Sequence, residues 1–167
     1  MPCEGRPVKP ALSVIALVVI DQITKWATEA FLPWQQDVDL LPVLALFRTY
    51  NTGVAFSMFS DAGPLALAGL TCIIIVFIGW LWHRTPSERR LSHVGFALII
   101  AGAVGNLIDR GLHGYVIDMI RFHTDTWSFA VFNVADSYIS IGAAAIVLDE
   151  VLSMRNQRSN AKGSDDA

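Results

Sequence analysis

The sequence has 167 residues, 53% of them hydrophobic and only 16% charged, with a formal net charge of −3. Soluble domains carry charge on about a quarter of their residues, so this composition argues against a water-exposed globule, and the lack of a basic block argues against a nucleic-acid partner. Two cysteines, Cys3 and Cys72, and four scattered histidines, His83, His93, His113 and His123, supply neither a disulfide framework nor metal-ligand spacing, so no metal and no cofactor are expected.

In chain order, the first element is an apolar helix over residues 11–31, long enough to cross a bilayer, which takes about 20 residues. Arg6 and Lys9 ahead of Ala11–Ile20 imitate a secretory leader. However, Asp21-Gln22-Ile23-Thr24-Lys25 follows in place of a small-residue cleavage site, and the helical pattern resumes to Phe31, so a retained span is expected. Residues 32–62 differ in character. Val43–Tyr50 and Val54–Phe59 are rich in aromatic and β-branched residues and flank Asn51-Thr52-Gly53, which suggests two strands about a turn. With Trp34, Phe47, Tyr50, Phe56 and Phe59 suited to the membrane interface, a β-rich cap on the bilayer surface is favoured over a solvated hairpin. Further spans are expected over residues 63–82, 92–108 and 131–151. The second carries no charge from Leu65 to Trp82 and includes Cys72, which reads as a small core residue. The fold class is therefore a mainly α membrane protein with four transmembrane helices and a small extracytoplasmic β-rich cap. It forms one domain over residues 1–155, followed by a polar, disordered tail over 156–167.

Orientation follows from the basic residues. Arg6, Lys9, Arg84, Arg89, Arg90, Arg155, Arg158 and Lys162 fall on one side, and only Arg48, Arg110 and Arg121 on the other. The bias places both termini in the cytoplasm, as an even number of spans requires.

Charges within spans cost several kcal/mol and are seldom kept without reason. Asp21 and Lys25 share a face of the first helix, four residues apart. Asn106, Asp109 and Arg110 close the third span, Asn133 and Asp136 open the fourth, and Asp118 lies in the short connection between them. With the orientation above, all of these gather at the outer side. Each has a plain structural reading: Asp21 and Lys25 as a neutralising pair, Asp109 and Arg110 as a snorkelling helix end, Asn106 and Asn133 as interhelical hydrogen bonds. Asp118 and Asp136 fit such readings least, because neither has a basic residue placed by sequence to neutralise it, and Gly114–Asp118 reads as a strand. Two close carboxylates split their pKa values. One is then charged and takes a proton from water while the other donates, which is general acid–base hydrolysis of a peptide bond without metal or covalent intermediate.

Five ordered blocks carry a resemblance. Asp21-Gln22-Ile23-Thr24-Lys25 fits D-Q-x-x-K, Asn51-Thr52-Gly53-Val54-Ala55-Phe56 fits N-x-G-x-A-F, and Gly102–Arg110 fits G-x-x-G-N-x-x-D-R. Gly114–Asp118 fits an aspartate-bearing strand, and Phe132-Asn133-Val134-Ala135-Asp136 fits F-N-x-A-D. The sequence resembles the bacterial lipoprotein signal peptidases, or signal peptidase II, over nearly its whole length. The resemblance implies a membrane aspartyl endopeptidase that cleaves diacylglyceryl-modified prolipoproteins just before the lipid-bearing cysteine. It further implies residence in the inner membrane, contact with membrane lipid, a site toward the periplasm and inhibition by globomycin. Asp118 and Asp136 fall on the catalytic dyad, and Asp21, Lys25, Asn51, Gly53, Asn106, Asp109, Arg110 and Asn133 on positions that line or brace the site. Phe129-Ala130 stands where the family often has Phe-Pro, and Met119 where an aromatic is common. The rival readings are a proton-coupled transporter, a non-catalytic membrane subunit, and a Ser–Lys peptidase pairing Ser57 with Lys25.

Overall fold

A computed structural model describes residues 10–53, 63–124 and 126–165. The expected second cap strand, Val54–Phe59, with Phe56, Ser57 and Phe59, lies outside the described residues. The elements run α1 (Pro10–Phe31), β1 (Asp37–Leu41), β2 (Leu44–Asn51), α2 (Gly63–Arg84), α3 (Arg90–His113), β3 (Val116–Phe122) and α4 (Val134–Asp165). All four helices are long and apolar enough to cross a membrane. α2 presents Leu65, Ile73, Val76 and Phe77 on its surface. An apolar surface of this extent is out of place in water and at home in lipid.

α3 is the central helix, with half of its most apolar stretch buried, against 6–17% for the other three. Its close approach to α4 depends on glycines. A Cβ on Gly95 would strike the carbonyl of Gly142, and one on Gly142 would strike that of Gly95. Small residues let membrane helices approach closely where apolar packing in lipid offers little drive.

α3 is longer than expected, reaching from Arg90 to His113, so Asp109 and Arg110 lie within the helix and not at its end. Gly114 ends it in the left-handed conformation, φ 79°, and its N–H reaches the Arg110 carbonyl at 3.0 Å, a glycine stop that frees the chain to turn into β3. α4 begins three residues later than expected, because Phe132 bridges Ile120 and Asn133 caps the helix. At its far end the tail expected to be disordered continues as helix to Asp165. Propagation adds one hydrogen bond per residue once a nucleus exists, and the span itself supplies the nucleus. Cys72 is exposed on α2, not buried as a core residue: α2 is a peripheral helix, so much of its apolar face points outward.

The three strands form one antiparallel sheet in the order β1-β2-β3. The strand expected over Val43–Tyr50 is β2, but its hairpin partner is β1, joined through Pro42 and Val43. β2 ends at Asn51, Thr52 and Gly53 follow as a bend, and the turn expected there leads into residues outside the described ones. β3 lies on the other side of β2, with Thr49 opposite Asp118 and Asn51 opposite Val116. Long-range pairing therefore brings Asn51 and Asp118 onto neighbouring strands.

Candidate active site

Asp118 sits in the buried half of β3, where Val116 to Met119 are all shielded. Asp136 sits in the first turn of α4. Asn133 fixes that turn through a reciprocal cap: its Oδ1 accepts the Asp136 N–H at 3.0 Å, and Asp136 Oδ2 accepts the Asn133 N–H at 3.2 Å. This is a capping box with aspartate in the acidic position. The cap thereby orients one of the two candidate catalytic carboxylates.

Each oxygen of the pair has a donor. Asn133 Nδ2 reaches Asp118 Oδ1 at 2.7 Å, and Asn51 Nδ2 reaches Asp118 Oδ2 at 3.1 Å. Asn106 Nδ2 reaches Asp136 Oδ1 at 2.8 Å, and the Asn133 N–H holds Oδ2. Three asparagines and one backbone amide thus hold two carboxylates in place while leaving lone pairs for water and a shared proton. Burial above all, then the neighbouring charge of Asp136, pushes the Asp118 carboxyl up to about 7 against the hydrogen bonds from Asn51 and Asn133. Asp118 can therefore hold a proton near neutrality and still release it.

Arg110 donates to the Gly53 carbonyl at 3.0 Å, tying α3 to the end of the cap strand, and its charge acts on both Asp136 and Asp118. Sequence spacing gave the two aspartates no basic neighbour. The extension of α3 past Asp109 supplies one.

Behind the pair lies a second polar layer. Lys25 bonds Asp21 Oδ2 and Asp109 Oδ2, both at 2.9 Å, and Asn106 Oδ1 at 3.0 Å. Asp21 Oδ1 accepts the Ala135 N–H at 3.0 Å, and Asp109 Oδ2 accepts the Ile117 N–H at 3.2 Å. Ala135 precedes Asp136 and Ile117 precedes Asp118, so each bracing carboxylate grips the backbone one residue before a dyad member. Asp21, Lys25, Asp109 and Asn133 are all buried. Asp21 and Lys25 are therefore more than a neutralising pair, and Asp109 does not snorkel. Lys25 has its three N–H groups committed, so it is not the free amine that a Ser–Lys peptidase needs.

Sequence reasoning missed one contributor. Gln22 donates to Asp109 Oδ1 at 3.0 Å, Asp21 Oδ2 at 3.2 Å and the Gly105 carbonyl at 3.3 Å. Its signal was present, since an amide inside a span is costly for the same reason as a charge. It also missed the brace at the outer end of α1, where Arg48 donates to the Glu29 carbonyl and Tyr50 Oη to Glu29 Oε1. Beside them Tyr50 stacks on Tyr115, and Trp34 lies tilted against Tyr50.

A cavity of about 1010 Å³ opens onto the pair. Asn106, Arg110, Asp118 and Asp136 make its polar end, and Leu67, Leu70 and Ile74 of α2 with Ile139 of α4 make its apolar flank. Ile141, also on the lining, is exposed at the apolar surface of α4, so the cavity is continuous with the face that lipid would cover. No group of three or more metal-binding side chains occurs among the described residues.

Four helices long and apolar enough to span a membrane, a three-stranded sheet and a carboxylate pair, Asp118 buried and Asp136 partly exposed, beside a cavity that reaches the apolar surface define a polytopic membrane protein with a paired-carboxylate site. Residues 13–152 match the family described as signal peptidase (SPase) II. The lipoprotein signal peptidase of Sinorhizobium fredii is 54% identical over 155 residues, 93% of each chain. That of Mesorhizobium japonicum is 53% identical over 152 residues, 91% of this chain and 90% of the relative. A bacterial membrane enzyme solved by the in meso method at 2.3 Å resolution superposes with a TM-score of 0.79 at 27% identity, covering 88% of this chain and 90% of that one. The chain belongs to the signal peptidase II family.

Proposed function

We propose that the protein removes the signal peptide from diacylglyceryl-modified prolipoproteins, with Asp118 and Asp136 as its catalytic dyad. The observation that carries the reading is the four-donor frame: every oxygen of the two carboxylates is held by an amide. This holds the pair in place where it opens to the cavity, with Asp118 buried and Asp136 partly exposed. The charged aspartate takes a proton from water as its oxygen attacks the scissile carbonyl carbon. The protonated aspartate gives its proton to the carbonyl oxygen. Collapse of the tetrahedral intermediate breaks the C–N bond: the first aspartate gives its proton to the leaving nitrogen, and the gem-diol hydroxyl returns its proton to the second aspartate as the C=O bond re-forms. No step needs a metal.

The cavity's shape supports the substrate class. Its polar end is where a peptide bond would sit, and its apolar flank leads to the lipid-covered face. Acyl chains on the cysteine can therefore stay in the bilayer while the bond is cut. The family supports residence in the inner membrane, and the excess of basic residues at the other ends of the helices supports cytoplasmic termini and a dyad toward the periplasm. A globomycin-type peptide would block the same cavity.

The test is cleavage of a diacylglyceryl-modified prolipoprotein by purified full-length protein in the presence of chelator, beside Asp118→Asn and Asp136→Asn. Cleavage by the parent and none by either folded variant is expected. Near-normal cleavage by either variant removes the dyad assignment.

A further inference from the structure

Lys25 donates to groups other than Asp118 and Asp136, yet it dictates what Asp136 meets. An ammonium has three donors and no acceptor. Lys25 is 1% exposed and spends its donors on Asp21, Asp109 and Asn106. The contact to Asn106 imposes a direction on the amide. A carboxamide that offers its oxygen to lysine must turn its NH₂ the other way, and Asn106 Nδ2 points to Asp136 Oδ1 at 2.8 Å. Asn133 Nδ2 reaches the same Asn106 oxygen at 3.2 Å, which reinforces the direction.

The two aspartates are not held alike. Asp118 lies on a strand and accepts from two neutral side-chain amides, those of Asn51 and Asn133. Asp136 lies in the first turn of a helix, whose backbone dipole favours negative charge there. It accepts one backbone N–H and one amide backed by the Lys25 charge. The charged and titratable groups around this point are Asp21 from α1, Tyr50 from β2, Asp109 and Arg110 from α3, Asp118 from β3, and Asp136 and Tyr138 from α4. The α2 residues on the cavity are apolar or threonine.

We propose that Lys25 is a positioning residue for the cleavage reaction: by fixing the polarity of the Asn106 amide it keeps Asp136 a hydrogen-bond acceptor, so that the shared proton of the dyad resides on Asp118. Asp136 is then the base that accepts the water proton, and Asp118 the acid that protonates the carbonyl oxygen. The inference rests on the aspartyl reading of the site.

The test is the pH profile of kcat and KM on a diacylglyceryl-modified prolipoprotein, using full-length protein. Asn106→Asp has nearly the same shape and still accepts from Lys25, but it turns an oxygen in place of an N–H toward Asp136. The ionised base then loses a donor and gains a repelling neighbour. The expected result is a kcat at least about tenfold lower, the loss of one charge-assisted hydrogen bond, with the acidic limb moved up by about one pH unit or more and KM little changed. Lys25→Arg, also a pure donor, keeps the limb where the parent has it, and Lys25→Met moves it upward. If Lys25→Met does not fold, Asn106→Asp carries the test alone. A uniform fall in kcat with the limb unmoved in Asn106→Asp reduces Lys25 to a structural brace and overturns the inference. Activity in Asp118→Asn or Asp136→Asn would instead overturn the dyad, so the two failures are distinguishable.

Discussion

Asn133 performs two separable tasks, and substitutions can split them. Its oxygen caps α4, and its amide nitrogen donates to Asp118 Oδ1 at 2.7 Å from a site with no exposure. Serine at this position keeps a cap acceptor for the Asp136 N–H but has no group to reach Asp118. Leaving a buried hydrogen-bonding group without its partner costs about 1–3 kcal/mol, and each ~1.4 kcal/mol is tenfold in rate, so Asn133→Ser should lower kcat by about 5- to 150-fold. Its thermal midpoint should stay near that of the parent. Asn133→Ala loses the cap as well, at about 1 kcal/mol, so its midpoint should fall by a further 2–4 °C or roughly that. Cleavage of lipidated prolipoprotein gives kcat, and thermal unfolding in detergent gives the midpoint. Parental kcat in Asn133→Ser would refute the reasoning, because Asn133 would then serve α4 alone.

The Asp118 carboxyl, pushed up to about 7 from an ordinary 3.8, has two consequences for pH. As the proton donor it should leave cleavage falling as pH rises through about 7, read from a kcat profile. Because the folded protein holds this proton more tightly than the unfolded chain, stability is greatest at low pH and falls as pH climbs from about 4 toward 7. Asp118→Asn, neutral throughout, should therefore be more heat-stable than the parent at pH 8, with the gap closing at pH 4. Gly105→Ala should destabilise by about 1–3 kcal/mol, since its Cβ would strike the Asp21 carboxylate, whereas Gly111→Ala on the same helix meets nothing within 4 Å and should be neutral or slightly stabilising in thermal melts.

The sequence revealed what is periodic or costly. Four apolar stretches, the strand carrying Asp118 and the convergence of Asp21, Lys25, Asn106, Asp109, Arg110, Asn133 and Asp136 at one depth all follow from hydropathy and from the price of charge in lipid. Long-range pairing was not legible. β1 is only five residues long, carries two aspartates and is exposed along its length, so its brief alternation was too short to stand out as a strand. At Asn51-Thr52-Gly53 a local bond has a second use: Asn51 Oδ1 accepts the Gly53 N–H at 2.9 Å, and that bond leaves its amide nitrogen facing Asp118. A turn-forming motif here orients a side chain toward the site. The contacts from Asp21 to Ala135 and from Asp109 to Ile117 end on backbone amides, which carry no residue identity for a sequence to display.

The same contacts explain why so many polar groups can be kept within a lipid-facing fold. Removing one partner of a buried ion pair leaves an uncompensated charge, the costly case. With Asp21 and Asp109 ionised, Lys25 neutralises one of them and Arg110 offsets one further charge. The cluster is then left with a single excess negative charge if the dyad retains one proton, and with two if it does not. The shared proton is therefore part of the charge balance that lets α1, α3, α4 and β3 meet. On the proposed reading, a carboxylate pair that keeps one proton in favour of charge balance is already in the state that hydrolysis requires, with one carboxylate to accept from water and one carboxylic acid to donate. Binding of an apolar substrate in the cavity, by excluding water, would strengthen that preference, since desolvation penalises the second charge further.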